Sequence, residues 1–429
     1  MKDSFIKEKL DENNTKWNDA IKREIELYGR GNDIRSPFER DYTRLLHCQA
    51  FRRMKHKTQV FFAPKNDHIC TRMEHVLHVS SVSSTIAKHL GLNPDLTQAI
   101  ALLHDIVHAP VCHFGEDVLN KLVKQKEGGN APKKFWHERN SLFFADYIET
   151  LSDPDGIEQP LNLTYAVRDG LICHCGEIDQ QGVRPRDKVI DLYSMTRPGF
   201  IQPFTWEGCV VKISDKIAFL GRDLEDARAY HIIDSASYRQ LREIVAGTLG
   251  FEHKGALHAM RSGKAINTTV LINDMIVDLC NESSPEKGLC FSNEYFNFIT
   301  EIKRFNFSNI YNHWRLQEFQ NYAENVIGTI WRTLMKAQMY VKSGRVNQVL
   351  KIYNKLGTTF EDWLIKYSNY MPYDSAKHAS IDKKPLLKYN TQIVFDIEDN
   401  ASYEKCCIEY ISGMTDQFAI QVFEEIISF

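Results

Sequence analysis

At 429 residues the chain exceeds the roughly 250–300 at which a single hydrophobic core stops growing, so one large lobed domain, or a core with a second region, is expected. Hydrophobic residues make up 43% and charged residues 25%, which excludes a disordered or fibrous protein. The formal charge of -3 lacks the basic balance of a chain whose main partner is a nucleic-acid backbone.

Ten cysteines include no C-x-x-C pair and no regular framework, which reads as a reducing compartment. The opening residues have no apolar stretch of signal-peptide length, and no run of about 18 apolar residues occurs. A cytoplasmic protein without membrane contact is the expectation.

In chain order, helical periodicity dominates. The first predicted helices span 4–29 and 38–54, followed by a short strand signal at Gln59–Phe62. From Arg72 to Leu90, Met73, Val76, Val79, Val82, Ile86 and Leu90 recur at steps of three and four, and Gly91 stops the helix. Asn93-Pro94 opens the next, whose apolar face of Leu96, Ile100 and Leu103 leads into His104-Asp105; Pro110 then stops or kinks the chain.

Further helices are predicted at 114–125, 138–151, 164–174, 208–230, 236–247, 267–281, 293–303, 315–341, 345–367 and 402–427, with Asn162 or Thr164 as a cap. A second strand signal lies at Ile393–Phe395, and loops are expected at 124–134, 152–160, 180–203 and 371–385. The fold class is therefore mainly α with few short strands. A soft boundary near 230–260 separates a core of 1–240, which holds the densest histidine and carboxylate clusters, from a C-terminal helical region of 241–429.

The stretch ALLHDIVHAPVCHFGED, residues 101–117, places three histidines and three carboxylates in 17 positions. His104 and Asp105 are neighbours whose side chains diverge along a helix unless they sit at its end, where both can meet one ion. A divalent cation in a mixed nitrogen and oxygen shell needs further ligands. His75 can supply one, with Arg72 three residues earlier on the same helix face. Asp215 can supply another, from an apolar helical run where an unpaired carboxylate is costly.

Taken singly, His75 and Asp215 each read more readily as hydrogen-bonded core or surface groups. Taken with His-Asp, a shared ion explains both. His108, His113, Glu116, His137 and Glu138 would surround that ion as acid–base and charge-placing groups. Cys173-His174-Cys175 reads as core, because one C-x-C lacks a second ligand pair. The basic run Lys121, Lys124, Lys126, Lys133, Lys134 and Arg139, and another over Lys336–Lys355, read as solvated faces.

Six stretches, in order ERDYTRLLHCQAFRRMKHKTQVF (39–61), TRMEHVLHV (71–79), LLHDIVHAPVCHFGED (102–117), FWHERNSLF (135–143), SDKIAFLGRDLEDA (214–227) and YISGMTDQFA (410–419), carry a resemblance. In them the chain resembles the HD-domain deoxynucleoside triphosphohydrolases, the dGTPase-like family. The resemblance covers most of the chain and implies an HD-domain helical fold with an additional C-terminal helical region. It implies hydrolysis of a deoxynucleoside triphosphate at the α-phosphate, releasing deoxynucleoside and intact triphosphate.

Carried over by motif, His75, His104, Asp105 and Asp215 would ligate a divalent metal, whether manganese, magnesium, iron, cobalt or zinc. The ion would polarise the α-phosphoryl group and position water. His113 would assist departure of the 5′-oxygen, Glu116 would orient it or the water, and His108 and His137 would line the triphosphate side. Gln59 would hold the 3′-hydroxyl, Arg72 would lie by the base or sugar, and Arg53, Lys216 and Asp223 would contact phosphate or ribose. The family also implies a homo-oligomer, often with an activating nucleotide between subunits.

The chain departs from the family pattern at three places. Phe219 stands where many relatives have tyrosine, leaving a ring that excludes a 2′-hydroxyl by size but lacks one hydrogen-bonding group. Val107 replaces the usual glycine after H-D-I, and Ala109-Pro110-Val111-Cys112-His113 replaces P-P-F-G-H. Two other readings stay open. One is a different HD phosphohydrolase, acting on a nucleoside monophosphate, a cyclic nucleotide or guanosine tetraphosphate, although the last class would show an acidic pair where His108 stands. The other is a non-catalytic nucleotide sensor or single-strand nucleic-acid binder on the same scaffold.

Overall fold

The computed structural model describes residues 4–26, 33–61, 68–124, 135–175, 181–250, 268–346, 350, 352–371 and 393–428. Most of the expected loops at 124–134 and 371–385, part of the 230–260 boundary, and Lys126, Lys133 and Lys134 of the basic run lie outside these residues.

Seventeen α-helices are present among the described residues. In the first half they are α1 (Trp17–Ala20), α2 (Pro37–His47), α3 (Gln49–Arg53), α4 (Arg72–Leu90), α5 (Pro94–Leu103), α6 (Cys112–Lys124), α7 (His137–Phe143), α8 (Tyr165–Cys173) and α9 (Trp206–Ala229). The second half adds α10 (Ser235–Leu249), α11 (Thr268–Glu282), α12 (Asn293–Asn306), α13 (Trp314–Lys336), α14 (Gln338–Lys342), α15 (Asn354–Tyr367), α16 (Asn400–Ser412) and α17 (Asp416–Ile427). One antiparallel hairpin joins β1 (Thr150–Ser152) to β2 (Glu158–Pro160), with Leu151 opposite Gln159. The fold is mainly α, as the periodicity implies.

Helix α4 packs on α5 and α9, and α5 also packs on α2 and α8. Two apolar cores result. The first gathers Val76, Val79, Ile100, Leu103, Val167, Leu171, Val326, Ile330 and Ile411. The second gathers Val82, Ile86, Val210, Ile217, Leu224, Leu271 and Phe298. Helices α4 and α9 contribute to both, so the polar residues between their apolar stripes lie where the two cores meet. Helix α13 packs on α6, α16 and α17, which brings the C-terminal helices against the H-A-P-V-C-H segment.

Several expected elements are realised differently. Residues 4–26 hold a 3₁₀ turn at Ile6–Glu8 and the short α1 rather than one helix. The Asn13 amide donates to Asp11 Oδ1 at 3.0 Å, and Asn14 Nδ2 donates to the carbonyls of Glu8 and Lys9 at 3.2 and 3.1 Å. Such local side-chain bonds compete with helical ones. The 38–54 segment breaks at Cys48, which is extended and caps α3 by accepting from the Phe51 amide.

The 138–151 helix stops at Phe143, passes through a π turn at Phe144–Ile148 and continues as β1. The hairpin thus falls on a stretch read as helix end and loop, turned by Asp153, whose Oδ1 accepts from the Asp155 and Ile157 amides. Neither strand signal forms a strand among the described residues. Thr58 bridges Thr71 and Phe395 bridges Ser368, each as an isolated pair, and Phe62 lies outside the described residues.

The predicted 315–341 helix is divided at Ala337 into α13 and α14, and the described helix in 345–367 begins at Asn354. The 402–427 helix is divided at Gly413–Met414, after which Thr415 caps α17. Thr164 occupies the cap position of α8 but its hydroxyl donates to Asp41 Oδ2 at 2.6 Å, and Asn162, at φ 46, donates to Ile25. Neither side chain caps the helix.

Candidate active site

Thr71 begins the site. Its hydroxyl accepts from the Glu74 amide while Glu74 Oε2 accepts from the Thr71 amide, a capping box that fixes the start of α4. Arg72 is then the first helical residue and His75 lies one turn in. Asn93 caps α5 with its Oδ1 on the Asp95 and Leu96 amides, and that helix ends at His104. Asp215 faces both histidines from the middle of α9.

His75 Nε2 lies 2.9 Å from Asp215 Oδ1, and His104 Nε2 lies 3.8 Å from the same oxygen. The His104 Nδ1 is bonded to the Ala101 carbonyl at 2.7 Å, so Nδ1 carries the proton and Nε2 presents a lone pair. That Nε2 is buried and has no hydrogen-bond partner among the described residues. Two acceptors facing each other, the histidine nitrogen buried and the carboxylate partly so, are reconciled by a cation between them.

Burial opposes charge on these groups, yet the bond and charge of Asp215 outweigh it at His75 and raise that ring's pKa. The same partners hold Asp215 well below the usual carboxylate range against its burial. The donor set of two imidazoles and a carboxylate fits a divalent ion.

Asp105 is placed differently from its neighbour. Its carboxylate is bound by the Arg72 guanidinium, and Oδ1 lies 3.7 Å from His137 Nε2. Of the four ligands expected, the structure therefore gathers His75, His104 and Asp215 and leaves Asp105 paired with Arg72, between that group and a second one.

The second group is His108, His113, Glu116 and His137, whose ligand-type atoms all lie within 4.8 Å of one another. The backbone that delivers it turns sharply: Val111 and Cys112 have φ 68 and 66, a left-handed conformation that is an outlier for a β-branched residue and suits the glycine of the family pattern at position 112. The turn then brings Pro110 back onto the start of α6. A Cβ on Gly115 would lie 2.0 Å from the Pro110 carbonyl oxygen, so only glycine fits there. His108 is buried, and burial followed by the Arg72 charge keeps its ring neutral. Burial opposes charge at His137 as well, but Glu138 and Glu116 prevail and raise its pKa.

The remaining expected residues are spread around these groups. The Gln59 carbonyl accepts from Arg72 Nη2 at 3.4 Å, and its side-chain Oε1 is buried without a partner among the described residues. Arg53 pairs with Glu149 at 2.6 Å. On α9, Lys216 adjoins Asp215, Phe219 packs on the second core one turn later, and Asp223 follows after another turn. Asp223 is buried and accepts from the Tyr311 hydroxyl; burial pushes it up to about 6. Cys173, His174 and Cys175 are all buried, with the His174 ring edge-on to His104 at 4.9 Å.

Sequence reading assigned no role to Lys57 or Asp416. Asp416 Oδ1 accepts from the Val111 amide at 2.8 Å, and Oδ2 accepts from the Thr58 amide and hydroxyl at 2.9 and 2.6 Å. Buried Lys57 donates from Nζ to the carbonyls of His108 and Ser412. Together they pin the strained loop to the C-terminal helices. Both lie in stretches that carry the family resemblance, 39–61 and 410–419, but the target of Asp416 is 305 positions away.

No described helix is long and apolar enough to cross a membrane. The HD domain family matches residues 72–219, a span that contains both histidine groups. A deoxyguanosinetriphosphate triphosphohydrolase-like protein of Caldanaerobacter subterraneus subsp. tengcongensis is 30% identical over 394 residues, covering 92% of this chain and 86% of its own length. One of Rickettsia felis is 30% identical over 417 residues, covering 96% and 97%. One of Desulfatibacillum aliphaticivorans is 34% identical over 281 residues, covering 65% and 67%. With matches of this length, and a buried cluster of His75, His104 and Asp215 inside the HD domain, the chain belongs to the deoxyguanosinetriphosphate triphosphohydrolase-like family of HD-domain hydrolases.

Proposed function

We propose that the protein hydrolyses deoxynucleoside triphosphates, dGTP or several of them, to deoxynucleoside and inorganic triphosphate, with a divalent ion held by His75, His104 and Asp215. One observation carries the reading: His104 Nε2 is buried, unpartnered among the described residues and aimed at Asp215 Oδ1 beside His75. When bound, the ion acts as a Lewis acid on the α-phosphoryl group. Two imidazoles and a carboxylate favour manganese, iron, cobalt or zinc over magnesium, which prefers an all-oxygen shell.

The protein's own groups divide the remaining work. Asp105 is engaged by Arg72 and must leave it to become a fourth ligand; while engaged, it places negative charge beside His137 and favours that ring's protonated form. His113, whose side chain is exposed, and Glu116 beside it form a proton-transfer pair for the departing 5′-oxygen. His108 and the charged His137 face the triphosphate. Gln59 Oε1, a buried acceptor with no described partner, suits a sugar 3′-hydroxyl. The Phe219 ring and Asp223, which accepts from the Tyr311 hydroxyl, lie further along α9 as the sugar side, with Lys216 and Arg53 as phosphate contacts. Similarity to deoxyguanosinetriphosphate triphosphohydrolase-like proteins supports a deoxynucleoside triphosphate over other HD substrates.

The test is to incubate the protein with each of the four deoxynucleoside triphosphates and with GTP, in manganese or magnesium, and to separate the products. Deoxynucleoside and unbroken triphosphate are expected, and Asp215→Ala is expected to abolish both. Pyrophosphate, orthophosphate or no product from any nucleotide, alone or mixed, would overturn the reading.

A further inference from the structure

We propose that His108, His113, Glu116 and His137 form a second cation site, separate from the His75, His104 and Asp215 set, that takes a divalent ion of the zinc class. One carboxylate oxygen organises it. Glu116 Oε2 lies 2.9 Å from His137 Nδ1, 3.8 Å from His113 Nδ1 and 3.9 Å from His108 Nε2. Donors about 2.0–2.1 Å from a tetrahedral ion stand about 3.3 Å apart, so small side-chain rotations close this set around one. Three imidazoles and a carboxylate are a donor set that borderline transition ions prefer to calcium or magnesium.

Two further observations point to an ion rather than a hydrogen-bond network alone. His108 is fully buried, and neither of its ring nitrogens has a hydrogen-bond partner among the described residues. An imidazole is costly to bury in that state, and a ligand for Nε2 removes the cost. His137 has the orientation of a metal-bound ring, with an incoming ion displacing its Nδ1 proton to solvent: Nδ1 faces the cluster, while Nε2 faces Glu138 Oε1 at 3.3 Å and Asp105 Oδ1 at 3.7 Å. Carboxylates behind the far nitrogen fix the ring of a ligating histidine and raise its basicity.

The four groups differ in freedom. His108, Glu116 and His137 are fixed by the loop turn and by α6 and α7, whereas the His113 side chain is 69% exposed and closes the shell from outside. A filled site occupies the His113 ring, so on the hydrolase reading excess zinc slows turnover; ion binding itself does not depend on that reading.

The full chain, stripped with chelator and titrated with zinc chloride, is expected to bind two equivalents. Replacing His113, an exposed side chain whose loss leaves the fold intact, by alanine is expected to weaken one equivalent about 10- to 100-fold and spare the other. Asp215→Ala is expected to do the converse. With cobalt(II) chloride, the visible absorption of the second equivalent is expected to persist in Asp215→Ala and to be lost in Glu116→Gln, which keeps only the absorption of the first equivalent, with circular dichroism confirming that each variant is folded. A single equivalent that His113→Ala and Glu116→Gln leave unchanged would overturn the proposal, as would simultaneous loss of both equivalents in His113→Ala.

Discussion

Glu409 lies buried on α16 beside the Asn140 amide and the Ser412 hydroxyl, and burial pushes its carboxyl from an ordinary 4.5 up to about 7. Below pH 4.5 it is protonated whether the chain is folded or not. Between 4.5 and about 7 the folded chain keeps a proton that the unfolded chain has released, so stability falls as pH rises through that window. At about 1.4 kcal/mol per pKa unit, the loss is on the order of 3 kcal/mol. Glu409→Gln should therefore gain stability over the wild type by about that amount at pH 8 relative to pH 4.5, as read from urea unfolding. A constant difference across the two pH values would contradict this. At Gly115 the expectation is kinetic. A methyl group there meets the Pro110 carbonyl, which must move and carry His113 and Glu116 with it. Gly115→Ala should lower turnover about 100-fold while the ion equivalent held by His75, His104 and Asp215, measured by elemental analysis, stays bound.

At the scale of elements, the loop from His108 to His113 is a strained turn stabilised from elsewhere. Two left-handed residues cost roughly 1–2 kcal/mol each, and Asp416 offsets this with three hydrogen bonds to Val111 and Thr58. Asp416→Ala leaves the buried Val111 amide without its acceptor and should destabilise the protein by about 3 kcal/mol. It should also lower turnover while sparing the ion equivalent held by His75, His104 and Asp215, because it releases the loop that carries His108 and His113 and not that set. Asp416→Asn retains one acceptor oxygen and should recover part of both effects. Equal turnover in Asp416→Ala and the wild type would show that the loop holds its shape unaided.

Across the whole molecule, the elements legible in the sequence are those that carry their own punctuation. Helix α4 ends at Gly91 with φ 84, and α5 opens at Asn93-Pro94, where the spacing places them. The segments misread are those decided by side-chain bonds or distant contacts: the Asp11–Asn14 turns that break the first helix, Cys48, and the Asp153 turn of the hairpin. The candidate site shows the same division. Its residue types were visible in HDIVHAPVCHFGED, but the separation of His104 from Asp105 was not, because it depends on the Arg72 guanidinium arriving from another helix. Nor was the Asp416 contact, which joins residues 305 positions apart.

The central claim, water attack at the α-phosphorus of a deoxynucleoside triphosphate, is tested most directly by turnover in ¹⁸O-water followed by ³¹P NMR of the products. The label is expected in a terminal phosphoryl group of intact triphosphate, with none in the deoxynucleoside. Label in the 5′-hydroxyl of the deoxynucleoside, or in orthophosphate or pyrophosphate, would contradict it.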